Sequence, residues 1–240
     1  YWQERLVGPN VLVAVVSGLS HEQVVAKLEA ALHGVPAGPV PALNYADIPT
    51  PKSRQVDLTL GTDQSHVFIA VPVPGVSTED RAALRVLNAI LGRTSGRLFT
   101  EVRDKRGLAY TAYSTVTQYV DGGIFLVYAG TKPSTAQDVL TLLQSELQRI
   151  REQAVGVDEL ANAIGGELGS RTLAVETSSN EATYMARDTV FGLPPREVQA
   201  EQTRAVTAAD VQRVAQRYLD PSRFTVVVTG PGSGEQGDRP

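Results

Sequence analysis

No stretch restricts the fold of this chain as much as Ile90–Tyr113, ILGRTSGRLFTEVRDKRGLAYTAY. An apolar helix end runs into Gly92, and the next segment sets Leu98 and Val102 four apart, on one helical face, between basic side chains. Gly107 then releases the backbone into an alternation of Tyr110, Ala112 and Ser114, the period of a strand. A helix-to-strand junction follows, with Arg103, Arg106 and Tyr110 close to it. Arg93, Arg97, Arg103, Lys105 and Arg106 stand against Glu101 and Asp104, a local balance of +3 in a chain of formal charge −4. The basic patch is local.

Charge and composition remove several classes of function. With 22 Lys plus Arg against 26 Asp plus Glu there is no broad basic surface, so no nucleic-acid partner is expected. Cysteine is absent, which excludes disulfides, thiol catalysis and thiolate metal sites. No run of eighteen apolar residues occurs, so no membrane span is expected, and both cytoplasm and periplasm stay open as compartments. The 240 residues suffice for a core burying roughly 70% of the unfolded surface.

Along the chain, Pro9–Gly18 reads as an apolar strand, followed by a helix with Val24, Val25, Leu28 and Leu32 at helical spacing and Ser20 with Gln23 as its capping box. Five prolines, Pro36, Pro39, Pro41, Pro49 and Pro51, mark residues 35–53 as a linker. Arg54–Leu60 and Ser65–Val71 read as successive strands across a Gly61–Gln64 turn, with Pro72 and Pro74 stopping the pairing. Ser77 with Asp80 is placed to cap a helix carrying Leu84, Leu87 and Leu91. Ala109–Tyr119 and Gly122–Thr131 form a further strand pair, whose tyrosines read as sheet packing. A helix follows from Pro133 to Ile150, capped by Ser134 with Gln137. Another starts near Val157, where Gly165, Gly166 and Gly169 favour close packing or a bend. Ser179–Phe191 is a third helix, and Thr207 with Asp210 cap the last, before a Phe224–Thr229 strand. The tail, 231–240, has the composition of a disordered segment. PNVLVAVVSG at Pro9–Gly18 and PSRFTVVVTG at Pro221–Gly230 resemble each other, as the closing strands of two copies of one domain would.

Familiar catalytic signatures are missing. His21, His33 and His66 form no H-x-x-x-H, H-E-x-x-H or H-x-x-E-H, there is no G-x-S-x-G, and the glycines make neither G-x-G-x-x-G nor a phosphate loop. Arg103 and Tyr110 remain. A guanidinium offers fixed donors for a carboxylate or peptide carbonyl, and a phenol can donate to an oxygen that becomes negative when a carbonyl is attacked. An ordinary solvated arginine and a packed tyrosine would satisfy the same spacing.

RLFTEVRDKRGLAYTAYS at Arg97–Ser114 closely resembles the helix-to-strand segment of the pitrilysin and mitochondrial processing peptidase family, the inverted zincins. Pro9–Gly38, ALRVLNAILG at Ala83–Gly92 and Thr207–Gly230 are similar to other segments of that family, so the resemblance covers most of the chain. It implies an α/β (α+β) fold with a mixed, mostly antiparallel sheet covered by helices. Residues 54–230 would be the non-zinc domain and residues 1–34 the terminal strand and helix of an upstream homologous domain.

In that family the non-zinc half supplies an Arg and a Tyr seven positions apart, and R-x-x-x-x-x-x-Y here runs from Arg103 to Tyr110. The resemblance therefore implies that these two residues position a peptide substrate and stabilise its carbonyl. Because H-x-x-E-H is absent, it also implies that this chain holds no metal and does not hydrolyse peptides alone. Zinc is expected in a missing domain or a partner subunit, in a homo- or heterodimer. The same fold serves non-catalytic assembly subunits, which is the alternative.

Overall fold

The computed structural model describes residues 5–40 and 52–231. In chain order the helices are α1 (His21–Leu32), α2 (Arg81–Gly92), the short α3 (Arg97–Phe99), α4 (Ala136–Glu152), α5 (Val157–Leu173), α6 (Ser178–Val190), α7 (Arg196–Arg204) and α8 (Ala208–Tyr218). The strands are β1 (Arg54–Thr59), β2 (Ser65–Val73), β3 (Ala109–Gln118), β4 (Gly123–Thr131) and β5 (Thr225–Gly230). None of the helices among the described residues is long and apolar enough to cross a membrane. The described residues divide into two compact units, a smaller one from 5–40 and 169–194 and a larger one from 52–168 and 195–231.

In the larger unit the five strands form one sheet in the order β1-β5-β2-β4-β3. Only β1 and β5 pair in parallel; the other three pairings are antiparallel, so the expected mixed, mostly antiparallel sheet is present. Alternation decides its faces. Val67, Ile69, Val71 and Val73 of β2 and Phe125, Val127 and Ala129 of β4 are buried in one cluster with apolar residues of α2, α4 and α8. Each fully buried Leu, Ile or Phe in such a cluster contributes about 1.5–3 kcal/mol. On the other face Phe68, Tyr128 and Tyr113 sit side by side in register, with ring centroids 5.1 Å apart in each neighbouring pair.

Several expectations change. β1 and β2 are not neighbours, because β5 lies between them and the Leu60–Gln64 connection passes its end. Pro72 does not stop β2; it pairs with Ile124 of β4, beyond Ala70, where β5 ceases to flank the strand and a residue without N–H is tolerated on the open side. Asp80 stands at the start of α2 but does not cap it; its carboxylate turns to α8 instead. Ser134 and Gln137 do not cap α4 either, which begins through a 3₁₀ turn at Pro133–Thr135. The glycines of α5 do not break it, and the guanidinium of Arg93 packs over Gly166, where a Cβ would lie 2.7 Å from its central carbon. α7 went unanticipated: REVQAEQTR has no apolar stripe, and its buried residues are Gln199 and Thr203. Gln199 accepts from both terminal nitrogens of Arg81 at 3.1 Å.

In the smaller unit the Ser20–Gln23 capping box of α1 is formed as expected. Pro9–Gly18, expected as a strand, instead makes a 3₁₀ turn at Gly8–Asn10 and then runs without a ladder among the described residues. A lone segment has no neighbour to satisfy its backbone groups, so apolar alternation alone does not make it a strand. The linker lies mostly, and the tail after Pro231 wholly, outside the described residues.

Candidate functional site around Arg103 and Tyr110

The junction is built on close packing of α2 against β3. A Cβ on Gly92 would stand 2.4 Å from the backbone oxygen of Ser114 and 2.6 Å from its nitrogen, so only glycine permits this approach. Nearby, the Ser114 hydroxyl donates to Asn88 Oδ1 at 2.8 Å. After the turn, Leu98 and Val102 are wholly buried, four apart as the spacing predicts, and anchor one side of the segment. The helix widens into a π-helical turn at Thr100–Asp104, with Lys105 N–H donating to the Thr100 carbonyl at 3.0 Å. Gly107 then takes φ +61°, the left-handed conformation that ends helices, and its N–H donates to the Arg103 carbonyl at 2.9 Å.

Arg103 leaves the outer side of this turn. Its guanidinium lies 4.8 Å from the ring centre of Phe99 and 4.5 Å from that of Tyr110, two cation–π contacts worth about 0.5–1 kcal/mol each at an exposed site. Among the described residues no carboxylate lies within ion-pair distance of it. The other cations of the patch are engaged: Arg97 binds Glu159 through two bonds of 2.7 Å, and Lys105 and Arg106 both bind Glu101. The sequence groups Arg106 with Arg103 and Tyr110; in the structure its guanidinium is bound to Glu101 instead, through the carboxylate and the backbone carbonyl.

Tyr110 departs from its expected alternation. Ala112 and Ser114 are buried, and a regular strand would put Tyr110 beside them. Instead the β3–β4 register slips, Ala109 pairing with Thr131 and Thr111 with Gly130, so Tyr110 is the extra residue of a β-bulge. The bulge shifts the burial to Ala109 and leaves Tyr110 76% exposed. β3 is an edge strand, where such bulges concentrate. A sequence expectation of a packed tyrosine is thereby corrected, and the two candidate residues meet on an accessible rim.

Glu101 and Phe99 were not singled out from sequence. The signal available was Glu101 with Lys105 at i, i+4, a spacing that favours an ion pair. Hydrogen bonds from Lys105 and Arg106 outweigh burial and hold the Glu101 carboxyl at a pKa of about 2. Among the described residues no group of three or more His, Cys, Asp or Glu could hold a metal ion, so they do not fit a zinc site. His66 is occupied otherwise, with Nδ1 2.9 Å from the Tyr128 hydroxyl.

The family model described as peptidase M16 inactive domain matches residues 1–166. An uncharacterized zinc protease of Streptomyces coelicolor is 33% identical over 249 residues, covering 100% of this chain and 54% of that protein. Another from Mycobacterium bovis is 34% identical over 172 residues, covering 70% of this chain and 39% of its own length. Among solved structures, a peptidase M16 inactive domain from Pseudomonas fluorescens superposes with a TM-score of 0.81 at 23% identity, over 91% of this chain and 53% of that one. The chain thus spans about half the length, or less, of these relatives.

Proposed function

Because the chain belongs to the peptidase M16 inactive-domain family, we propose that it is the substrate-holding, non-zinc half of a zinc-dependent peptidase, with Arg103 and Tyr110 gripping a peptide that a zinc site in another domain or subunit hydrolyses. One observation carries this reading: a guanidinium without a carboxylate partner among the described residues lies over a tyrosine that a β-bulge holds 76% exposed. The guanidinium would donate to peptide carbonyls on either side of the reacting bond. The Tyr110 hydroxyl would donate to the carbonyl oxygen as it gains negative charge.

The partner in this reading is a homologous zinc-bearing half, in the same polypeptide or in a homo- or heterodimer. Residues 5–34 would close the sheet of such an upstream half. Two features support that: no residue of α1 is buried, and the extended run after Gly8–Asn10 exposes Leu12, Val13 and Val15. The run also follows a 3₁₀ turn at a proline, as β5 follows Pro221–Arg223.

The second reading, an assembly or binding subunit, is favoured by the same stack, since Phe99, Arg103 and Tyr110 also pack the junction together. Peptide turnover by the full-length protein with its partner separates the two. Tyr110→Phe is expected to lower kcat by about 100-fold or more, the loss typical of one oxyanion donor. Arg103→Ala is expected to raise KM as well. Turnover unchanged in both variants, with folding intact, would overturn the substrate role.

A further inference from the structure

The turn that carries Arg103 is fastened by one buried carboxylate. Glu101, two residues before Arg103, is only 6% exposed. Its Oε1 accepts from Lys105 Nζ at 2.7 Å, and its Oε2 accepts from Arg106 Nη1 at 2.6 Å. The same Arg106 nitrogen donates to the Glu101 backbone carbonyl at 3.0 Å. From α4, Arg149 brings Nη1 to 3.7 Å of Oε1 while its Nη2 lies 2.6 Å from Glu146.

These contacts do two things at once. They tie residue 101 to residues 105 and 106, so the backbone between them, which includes Arg103, is closed at both ends around one anion. They also engage the still exposed Lys105 and Arg106 side chains with one carboxylate, while Arg103 is the cation that lies over Tyr110. A neutral or apolar residue at 101 would release two long cationic side chains beside Arg103, where they would repel the guanidinium and loosen the turn that holds it.

We infer that Glu101 is a positioning residue, which fixes the π-helical turn so that the Arg103 guanidinium lies over Tyr110. The inference deepens the proposed peptide-holding role of that pair and rests on it for its functional consequence, although the geometric part stands by itself.

The test has an arm for each part. In the 240-residue chain, the ring proton resonances of Tyr110 report whether a guanidinium lies over the ring, and Arg103→Ala supplies the unstacked reference. Glu101→Ala is expected to move those resonances to the Arg103→Ala position, Glu101→Gln part of the way, and Glu101→Ala with Arg103→Ala no further than Arg103→Ala alone. Tyr110 resonances unchanged in Glu101→Gln and, where it folds, in Glu101→Ala would overturn the inference.

In the full-length peptidase Glu101→Gln is expected to raise KM by about tenfold, the loss of a hydrogen bond to a charged group, in the native background. It is expected to do nothing more once Arg103 is Ala. Equal effects in both backgrounds would assign Glu101 a role in general stability and overturn its action through Arg103. If Arg103→Ala itself leaves turnover untouched, Arg103 has no part in holding the peptide and the functional consequence drawn for Glu101 fails, while the resonance arm still decides the geometry.

Discussion

The Tyr218 hydroxyl donates to Asp80 Oδ2 at 2.6 Å, and the carboxylate that accepts it is wholly buried between α2 and α8. Arg217 Nη1 donates to the same oxygen at 3.1 Å, and Arg213 bonds the other oxygen from the half-exposed side. The arginines can return to water if the anion is lost, whereas the buried phenol cannot. Asp80→Ala is therefore expected to cost about 2–3 kcal/mol, below the full cost of breaking a closed ion pair. Tyr218→Phe should cost about 1–2 kcal/mol. Urea denaturation of both variants at neutral pH checks the order, and an Asp80→Ala effect smaller than that of Tyr218→Phe would contradict it.

Tyr218 also sets an alkaline limit. Burial, followed by its bond to Asp80, pushes the phenol from 10.0 up to about 12. A folded-state pKa above the unfolded one means that this contribution is full below pH 10 and is lost as pH rises towards 12. The stability difference between the native chain and Tyr218→Phe should accordingly shrink between pH 9.5 and 11.5. Denaturation midpoints of the two proteins across that range read the change, and a constant gap would remove the phenol from the alkaline limit.

How much of this was legible in the sequence depends on where the governing interactions run. Capping boxes are local, and both Ser20 with Gln23 and Thr207 with Asp210 form as read. Asp80 had the same local credentials, yet a long-range hydroxyl and two guanidinium groups more than 130 residues away outcompeted the cap. α7 escaped because its inward residues are polar, so no hydrophobic period announces it. At the site, the buried pair Leu98 and Val102 and the turn at Gly107 were plain from spacing. The bulge at Tyr110 was not, because a single extra residue leaves the alternation after it intact and is visible only in the register against β4.

Acid should act on the site through Glu101. Its bonds to Lys105 and Arg106 lower the carboxyl from 4.5 to about 2, so its contribution is present above pH 4.5 and is lost as pH falls towards 2. Glu146 opposes this: burial raises its carboxyl, so the fold gains stability from it as pH falls towards 4.5. The Glu101 signature is therefore read below pH 4.5, where the native chain should converge on Glu101→Gln. A stability gap between them that stays constant from pH 5 to 2.5 would count against the ion pairs.

The two glycines that frame the junction should fail for different reasons. At Gly107 the difficulty is backbone conformation: φ is +61° and nothing stands within 4 Å of an added Cβ. Gly107→Ala should cost about 1 kcal/mol, and Gly107→Asn less, since asparagine tolerates the left-handed region. At Gly92 the added Cβ meets the backbone of Ser114 at 2.4 and 2.6 Å, and a strand backbone held by β4 cannot turn aside as a side chain can. Gly92→Ala should therefore cost about 1–3 kcal/mol and displace β3 from α2. Amide exchange locates the damage: Gly92→Ala should expose the β3 amides around Ser114, whereas Gly107→Ala should leave them protected and loosen only the turn. Equal loss of β3 protection in the two variants would mean that the helix does not hold the strand in place by contact at Gly92.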